Sequence, residues 1–238
     1  MMLTQEQLEE LAQFDTPTVC NALERFGFQK STEGYMLPGM TLRTNGRKPM
    51  VGYAVTAKVS GMHPIPDALK QQNLMGYYAA VRTMEAPSIA VIQDLDAQPC
   101  SSFWGEVQAT VHKSLGCVGT ITRGGVRDLN EVNHLGFTFL STEICVSHGY
   151  THVDAFSCPV SILGLDICPG DLIHADEHGV AKIPHEFAGQ LADACRAAAA
   201  SELPLLEPCR KAIAHRVKPT LEEIEQWRRA MAEARTAK

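Results

Sequence analysis

ITRGGVRDLNEV, residues 121–132, joins an apolar, β-prone run to a segment with helical spacing. Two glycines end the run, and Arg127 and Asp128 follow directly after Val126. Ligands of α/β proteins gather at the carboxyl ends of strands, where helix N-termini present free backbone N–H groups. The stretch therefore predicts a strand, a ligand-binding turn and a helix, which together form one unit of an α/β fold.

The same alternation continues on both sides of this stretch. Apolar runs that predict strands begin at Val51, Ser88, Cys117 and Phe137, and helical spacing occupies 66–84, 104–115 and 129–135. This β-α-β-α-β order predicts an α/β core with parallel strands. Farther along, short β segments at 160–167, 171–175 and 179–183 predict antiparallel or mixed pairing. After Pro184 we expect helices, with a break near 204–208.

Composition narrows the class of protein. The 238 residues are 45% hydrophobic and carry a net charge of −6, which predicts a globular protein and argues against nucleic acid as a partner. No apolar run reaches the ~18 residues that a membrane span needs. Residues 1–14 predict a helix capped by Thr4 and not a signal peptide. The eight cysteines form no CxxC pair, so we expect free thiols and a cytoplasmic location.

A second strand end has the layout of the first. Asp94 and Asp96 close one apolar run, and the segment Trp104-Gly105-Glu106-Val107-Gln108 then leads into a helical pattern. Neighbouring parallel strands would bring this loop beside Arg127 and Asp128. An arginine grips a carboxylate with two hydrogen bonds, and an aspartate is a hard oxygen ligand for Mg²⁺ or Mn²⁺. Glu106 is placed to hold a water of such an ion.

These segments resemble the RraA-like family, which includes the metal-dependent 4-hydroxy-4-methyl-2-oxoglutarate / 4-carboxy-4-hydroxy-2-oxoadipate aldolases. The resemblance spans residues 15–185 in order. Its segments are TPTVCNALERFG (16–27), LPGM (37–40), VGYAVTAK (51–58), WGEVQAT (104–110), GGVRDLNEV (124–132) and PGDLIHADEHGVAKIP (169–184). The Arg-Asp motif alone is weak, but together with the upstream and downstream segments it is specific for the family, although not for a substrate.

The resemblance implies a swivelling α/β/α sandwich, similar to phosphohistidine domains. Residues 1–185 would form the catalytic domain, and 186–238 a helical extension that makes contacts in a homotrimer or homohexamer. Arg127 would grip the carboxylate of pyruvate, and Asp128 would bind the metal directly. Backbone groups of Gly105, Glu106, Val107 and Gln108 would hold the pyruvyl group, and Glu106 would contact a metal-bound water. Glu202 is the candidate for a carboxylate supplied by a neighbouring subunit.

The activity implied is cleavage of a 4-hydroxy-2-oxo acid to pyruvate and a second oxo acid through a pyruvate enolate. Oxaloacetate decarboxylation passes through the same enolate and is an expected side or main activity. Two alternatives stay open: an RraA-type regulator that inhibits a ribonuclease by contact, and a metal-dependent dehydratase or decarboxylase acting on another oxo acid. Arg123 stands where the family has an acid, and Gln108 where the aldolases often have leucine. The acceptor half of the substrate, the choice of metal and the oligomeric state are therefore left undecided.

Other residues suggest a zinc site or a Schiff-base lysine, but the sequence favours neither. His148 and His152, and also His174 and His178, have the spacing of a helical zinc pair, but neither pair lies in a convincing helix. Residues 176–179 are better interpreted as a hairpin turn. Lys58 suggests a Schiff-base aldolase only weakly, because a lysine on a strand is more often solvated or paired.

Overall fold

The computed structural model describes residues 2–27, 32–46 and 48–236. The helices are α1 (Gln5–Leu11), α2 (Thr16–Glu24), α3 (Asp67–Arg82), α4 (Glu106–Ser114), α5 (Leu129–Leu135), α6 (His185–Ala188), α7 (Leu191–Ala214) and α8 (Leu221–Thr236). The strands are β1 (Thr41–Leu42), β2 (Met50–Ser60), β3 (Ser88–Asp94), β4 (Ser102–Trp104), β5 (Cys117–Val126), β6 (Thr138–Ile144), β7 (His152–Phe156), β8 (Val160–Ile162), β9 (Leu165–Ile167), β10 (Leu172–Asp176) and β11 (Gly179–Ile183).

One mixed sheet organises the chain, in the order β1-β6-β5-β3-β2-β10-β11. Its centre, β6-β5-β3-β2, is parallel, and the outer pairs β1 with β6, β2 with β10 and β10 with β11 are antiparallel. Helices pack against this sheet, so the predicted α/β class is confirmed. The antiparallel pairing predicted for the C-terminal β segments is confirmed as well, with β8 and β9 forming a separate hairpin.

The central strands are apolar because helices and loops cover both of their faces. Strand β3 is buried along almost its whole length, and Ile89, Val91 and Ile92 are fully buried. Burial of each such side chain contributes about 1.5–3 kcal/mol relative to exposure. Parallel strands covered on both faces show this continuous apolar pattern. The buried centre fixes where β3 and β5 end, and therefore where the loops after them meet.

The N-terminal helices begin at the predicted caps. Thr4 and Gln7 form a reciprocal capping box at α1. Asp15 caps α2 by accepting a hydrogen bond of 2.8 Å from the N–H of Thr18, and Pro17 occupies the first turn. Both arrangements satisfy N–H groups that a helix start leaves unpaired. These caps confirm the two helix starts expected from the sequence.

The predicted break near 204–208 is wrong, because α7 is continuous from Leu191 to Ala214 and contains Pro204 and Pro208. A proline inside a helix removes a hydrogen bond and crowds the preceding turn. Helix α7 lies against α2 and α8, and its first half is buried in the same apolar cluster as α1 and α2. Tertiary packing along the helix therefore outweighs the local preference for a break.

Three short strands, β1, β4 and β7, were not predicted. Trp104 was assigned to the start of a helix, but it ends β4, and the helix begins at Glu106. Strand β4 pairs with the end of β5, beyond the point where β3 stops. Within the residues described, no helix is long and apolar enough to cross a membrane. All eight cysteines lie in the described part of the chain and are free thiols.

Candidate active site

Strand pairing brings the two predicted loops together. Trp104, at the end of β4, is registered with Val126, at the end of β5. The N–H of Arg127 donates a hydrogen bond of 3.0 Å to the carbonyl of Trp104, which extends this pairing by one residue. Trp104 is fully buried, so both strand ends are anchored in the core. The start of α4 and the Arg127-Asp128 pair consequently lie side by side, as the sequence predicted.

Asp128 has a left-handed backbone conformation, with φ 57° and ψ 42°. This conformation is uncommon outside glycine, and aspartate and asparagine adopt it more readily than other residues. Asp128 precedes α5 but makes no capping hydrogen bond to that helix. Its Oδ2 instead accepts a hydrogen bond of 3.0 Å from the N–H of Glu106, at the N-terminus of α4. The turn therefore directs the carboxylate of one strand end toward the helix that follows the other.

Gly105 is the residue that permits this approach. A Cβ at this position would lie 2.5 Å from Oδ2 of Asp128 and 3.2 Å from both Cγ and Nε of Arg127. The backbone of Gly105 is extended, with φ −157°, so the requirement for glycine comes from space and not from backbone strain. The Nε of Arg127 lies 3.8 Å from Oδ2 of Asp128. A guanidinium, a carboxylate and a helix N-terminus therefore share one small volume.

A cavity of about 290 Å³ opens at this point. Of the predicted site residues, Gly105, Val107, Gln108, Arg127 and Asp128 line it. The side chain of Glu106 is exposed and is not part of the lining, so this residue contributes its backbone N–H to the arrangement. The remaining lining residues are Lys70, Leu74, Ser102, Phe103, His148, Thr151, His152 and Val153.

Gln108 is held by a layer of aromatic side chains behind α4. The hydroxyl of Tyr78 donates a hydrogen bond of 2.7 Å to Oε1 of Gln108. Burial raises the pKa of Tyr78, although its bond to Gln108 acts in the opposite direction, so the hydroxyl keeps its proton. Behind it, His112 bonds to the carbonyl of Gln108 at 2.7 Å and to the hydroxyl of Tyr77 at 3.0 Å. Burial lowers the pKa of His112 to about 4, which keeps this ring neutral.

One wall of the cavity was missed by the sequence interpretation. Strand β7 and the turn before it supply His148, Thr151, His152 and Val153, and α3 supplies Lys70. The His148–His152 spacing was noticed as a zinc pattern, but the residues lie in a turn and a strand start, not on a helix. The ring of His152 is occupied, because Nδ1 lies 2.9 Å from the carbonyl of Tyr150 and Nε2 lies 3.2 Å from Oδ1 of Asp154.

Arg123, Asp94 and Asp96 stabilise the loop after β3 and do not line the cavity. The guanidinium of Arg123 donates to the carbonyl oxygens of Asp94, Asp96 and Ala97. Asp94 accepts from the N–H of Asp96, and Asp96 accepts from the N–H of Gly61. Burial raises the pKa of Asp94, while its hydrogen bond from Asp96 and the charge of Arg123 oppose the rise. Arg123 thus stabilises the loop after β3 and is not part of the cavity lining.

The remaining candidates lie elsewhere. Glu202 accepts a hydrogen bond of 3.0 Å from Arg235 and lines a different cavity, between α2, α7 and α8. Asp176 and Gly179 close the β10–β11 hairpin, which confirms the predicted turn. Asp176, Glu177 and His178 lie close enough to form a cation cluster, but Asp176 already accepts from the N–H groups of Thr16 and His178. Lys58 is not among the residues of the cavity wall.

The donor set at Asp128 fits a hard divalent cation. Within the described residues, Oδ2 is engaged by the N–H of Glu106, whereas no donor hydrogen-bonds Oδ1. Mg²⁺ commonly keeps several waters and takes one or two protein carboxylates. Asp128 lines the cavity, and its Oδ1 accepts no hydrogen bond from the described residues, so this oxygen is a suitable ligand for Mg²⁺ or Mn²⁺.

Comparison with known proteins agrees with the resemblance seen in the sequence. One relative is named "Putative 4-hydroxy-4-methyl-2-oxoglutarate aldolase", from Halalkalibacterium halodurans; it is 28% identical over 191 residues, which are 76% of this chain and 80% of that protein. Another is Protein DlpA of Legionella pneumophila, 31% identical over 98 residues. That match covers 40% of this chain but only 16% of the Legionella protein.

Solved structures share the fold. A protein of Pseudomonas syringae pv. tomato matches with a TM-score of 0.70 and 23% identity, over 95% of each chain. RraAS2 of Streptomyces coelicolor, described as an unusual member of the RNase ES inhibitor RraA protein family, matches with a TM-score of 0.65 and 21% identity, over 88% of this chain and 98% of its own. The predicted RraA-like α/β fold with a helical C-terminal extension is thereby confirmed. A family model described as RraA-like, Aldolase/RraA, matches residues 16–181, and the chain belongs to this family.

Proposed function

We propose that this protein is a class II pyruvate lyase: a divalent-metal-dependent enzyme that cleaves a 4-hydroxy-2-oxo acid to pyruvate and a second oxo acid. The relative named for 4-hydroxy-4-methyl-2-oxoglutarate supports this reaction class. Residues 1–185 would form the catalytic unit, and the helical extension, residues 186–238, would pack on it through Leu191, Cys195 and Ala198. Oxaloacetate decarboxylation is proposed as a further activity of the same site.

The observation that carries the proposal is the carboxylate of Asp128 placed against the N-terminus of α4, with Arg127 beside it. Asp128 reaches this place only through a left-handed turn and a glycine at position 105. A carboxylate that merely stabilised a helix start would cap its own helix, and Asp128 does not. The cost of such a turn is of order 1–3 kcal/mol, which a functional constraint explains.

Each residue then has a chemical role. Arg127 binds the carboxylate of the 2-oxo acid, and the first N–H groups of α4, which a helix leaves without intrahelical partners, face the same carboxylate and keto oxygens. Asp128 would hold Mg²⁺ or Mn²⁺ through Oδ1, and Glu106 would contact a water of that ion. The bound ion would supply Lewis acidity toward the keto group. When the C3–C4 bond breaks, its electron pair forms the enolate of pyruvate and the C4 hydroxyl loses its proton, which the water held by Glu106 would accept. The negative charge of the enolate would be stabilised by Arg127 and by the positive end of the α4 dipole.

We further propose that the working form is a homotrimer or homohexamer, in which a neighbouring subunit supplies Glu202 to the site. In the single chain Glu202 bonds to Arg235, and the helix that follows, α8, has no buried residue among those described. An exposed C-terminal helix is suited to an intersubunit contact. The contact would release Glu202 from Arg235 toward the neighbouring cavity.

The experiment that tests the proposal measures pyruvate release, coupled to lactate dehydrogenase. The substrates are 4-hydroxy-4-methyl-2-oxoglutarate, 4-carboxy-4-hydroxy-2-oxoadipate and oxaloacetate, each with Mg²⁺, with Mn²⁺ and with EDTA. We expect release from at least one substrate, abolished by EDTA. Metal-independent release would contradict the proposed role of Asp128, and release from none of the three would contradict the substrate class.

The alternative function is regulation of a ribonuclease by protein contact. The RraAS2 likeness, at 21% identity, supports the shared fold and not this activity. In that function the cavity side chains would be dispensable, and binding would depend on the outer surface. A pull-down against a ribonuclease at micromolar concentration discriminates the two: capture that is unaffected by a cavity variant would favour the regulator. A dehydratase or decarboxylase for another oxo acid would retain the metal requirement but release no pyruvate from the hydroxy acids.

A further inference from the structure

We infer that Lys70 and Gln108 form a second anion subsite in the cavity, one that binds a carboxylate at the far end of the oxo-acid substrate. The inference rests on the proposed function and makes it more specific. It addresses the half of the substrate that becomes the second oxo acid. Substrates whose far end carries a carboxylate would be preferred over substrates of the same length that end in a methyl group.

Lys70 is the first observation. It lies in the first turns of α3, is half-buried, and lines the cavity that also contains Arg127 and Asp128. Within the described residues, its ammonium group has no hydrogen bond and no ion pair, whereas Lys182 pairs with Asp171. An ammonium that has no counter-ion in the protein can pair with an anionic ligand without breaking an existing ion pair. The cavity wall therefore includes a positively charged residue that no described carboxylate pairs with.

The position of Lys70 is fixed by how α3 docks on β7. Asn73, one turn along the helix, donates a hydrogen bond of 2.8 Å from Nδ2 to the carbonyl of Val153. Gly76 then lets the helix approach Phe156, because a Cβ there would lie 2.6 Å from the phenylalanine ring. Val153 itself lines the cavity. Lys70 is thus a feature of a packed wall and not of a free surface helix.

Gln108 is the second, independent observation. The hydroxyl of Tyr78 bonds to Oε1 of Gln108 at 2.7 Å, which fixes the orientation of the side-chain amide. Its Nε2 group keeps two N–H donors, and no acceptor among the described residues takes them. Gln108 also lines the cavity. An amide oriented by a protonated tyrosine presents donors, so it favours an acceptor such as a carboxylate oxygen.

The groups that line this one cavity fit a dicarboxylate. Arg127 and the N-terminus of α4 would bind the carboxylate next to the keto group. The ammonium of Lys70 and the side-chain amide of Gln108 would then be left for the second carboxylate. His152 cannot replace them, because both of its ring nitrogens already face oxygen atoms of Tyr150 and Asp154. The ligand class is therefore a 2-oxo acid with a second carboxylate.

The test is a binding measurement with two ligands that differ only at the far end. Isothermal titration calorimetry with Mg²⁺ present compares 2-oxoglutarate with 2-oxopentanoate, in which a methyl group replaces the distal carboxylate. The variants are Lys70→Met and Gln108→Leu, and the control is Lys211→Met, which removes an exposed lysine of α7 outside this cavity. We expect Lys70→Met to weaken 2-oxoglutarate binding roughly 10- to 100-fold and to leave 2-oxopentanoate within about twofold.

Three outcomes separate this inference from the proposed function. Equal losses for both ligands, or no loss for either, would overturn the subsite, whether or not the protein releases pyruvate. Selective loss of 2-oxoglutarate in a protein that cleaves no hydroxy acid would keep the subsite and reject the lyase. In an active protein, Lys70→Met should raise KM for 4-hydroxy-4-methyl-2-oxoglutarate with kcat within about threefold, because a remote contact common to substrate and transition state acts on binding.

Discussion

Oδ2 of Asp128 lies 3.0 Å from the backbone nitrogen of Glu106, although the two residues are 22 positions apart and belong to different strand-helix units. This hydrogen bond joins the two halves of the candidate site. It requires the left-handed turn at Asp128, the pairing of β4 with β5, and the absence of a side chain at residue 105. Each of these requirements can be tested separately.

Gly105→Ala should lower activity on the order of 100-fold while leaving the fold intact. The added Cβ would lie 2.5 Å from Oδ2 of Asp128, so the carboxylate or the start of α4 must shift. A displacement of about 1 Å in a site of this kind lowers rates on the order of 100-fold. The measurement is kcat/KM for pyruvate release, with circular dichroism melting as the check on folding.

The matched control is Gly189→Ala, because a Cβ at Gly189 meets nothing within 4 Å and its φ is −69°. We expect wild-type activity from this variant. Comparable losses at Gly105 and Gly189 would show that the effect is not specific to the space beside Asp128.

Asp128→Asn should remove metal binding without disturbing the turn. Asparagine tolerates the left-handed conformation, and its side-chain oxygen can still accept from the N–H of Glu106. Asp128→Ala adds a backbone cost of about 1–2 kcal/mol, so it is the less informative variant. Titration with Mn²⁺ followed by electron paramagnetic resonance should show one bound ion in the wild type and at least ~10-fold weaker binding in the variant. Unchanged Mn²⁺ affinity would reject Asp128 as the ligand.

The turn at Arg127 and Asp128 could be predicted from the sequence only in part. The glycines, the Arg-Asp pair and the start of α5 follow from local patterns, and so do the apolar strands β2, β3 and β5. The direction of the Asp128 carboxylate does not, because it depends on a three-residue strand, β4, that is too short to have a periodic pattern. The contact between Asp128 and Glu106 therefore depends on the pairing of β4 with β5, which local sequence patterns do not reveal.

The wall formed by β7 and α3 was missed for a related reason. Strand β7 has only five residues, and two of them, His152 and Asp154, are polar, so the strand resembles a loop in sequence. Lys70 lies in a helix of mixed polarity, where a single lysine does not indicate a binding site. Helix α7 shows a prediction that failed in the other direction, because a break was predicted where the structure has none. Pro204 and Pro208 favour a break in the helix, but α7 stays continuous because it packs against α2 and α8.

Stability should fall between pH 6.5 and pH 4 because of His112. Its pKa is lowered by burial from 6.5 to about 4 in the folded protein, so the unfolded chain binds more protons across this interval. The contribution of His112 to the free energy of unfolding is fully present above pH 6.5 and declines as the pH falls toward 4. Over this interval the free energy of unfolding decreases by about 3 kcal/mol because of this group.

The measurement is the free energy of urea unfolding at several pH values for wild type and His112→Gln. Glutamine retains a hydrogen-bonding side chain but does not titrate, so the difference between the two curves isolates the histidine. The wild type should lose stability more steeply than the variant below pH 6.5. Parallel curves would mean that His112 does not titrate as its burial requires.

Glu202 gives a prediction about assembly. If a neighbouring subunit supplies this carboxylate, inactive Asp128→Asn subunits and inactive Glu202→Gln subunits should restore activity when co-expressed. In a mixed trimer, roughly a quarter of the sites would combine an intact Asp128 with an intact Glu202 from the neighbour. Co-expression of Asp128→Asn with Arg127→Ala should restore little or nothing, because both changes affect residues of the same chain's cavity. Absence of restoration in the first pair would exclude Glu202 as a residue acting in trans.

The central claim is that Arg127, Asp128 and a divalent metal stabilise the enolate of pyruvate, and one measurement tests it without knowledge of the acceptor half. Pyruvate is incubated with the protein in D₂O, and the methyl proton signal is followed by NMR with Mg²⁺ and with EDTA. The account predicts loss of the methyl signal through exchange at C3, dependent on metal and absent in Asp128→Asn. Exchange no faster than in protein-free buffer, or exchange that persists in Asp128→Asn, would contradict it.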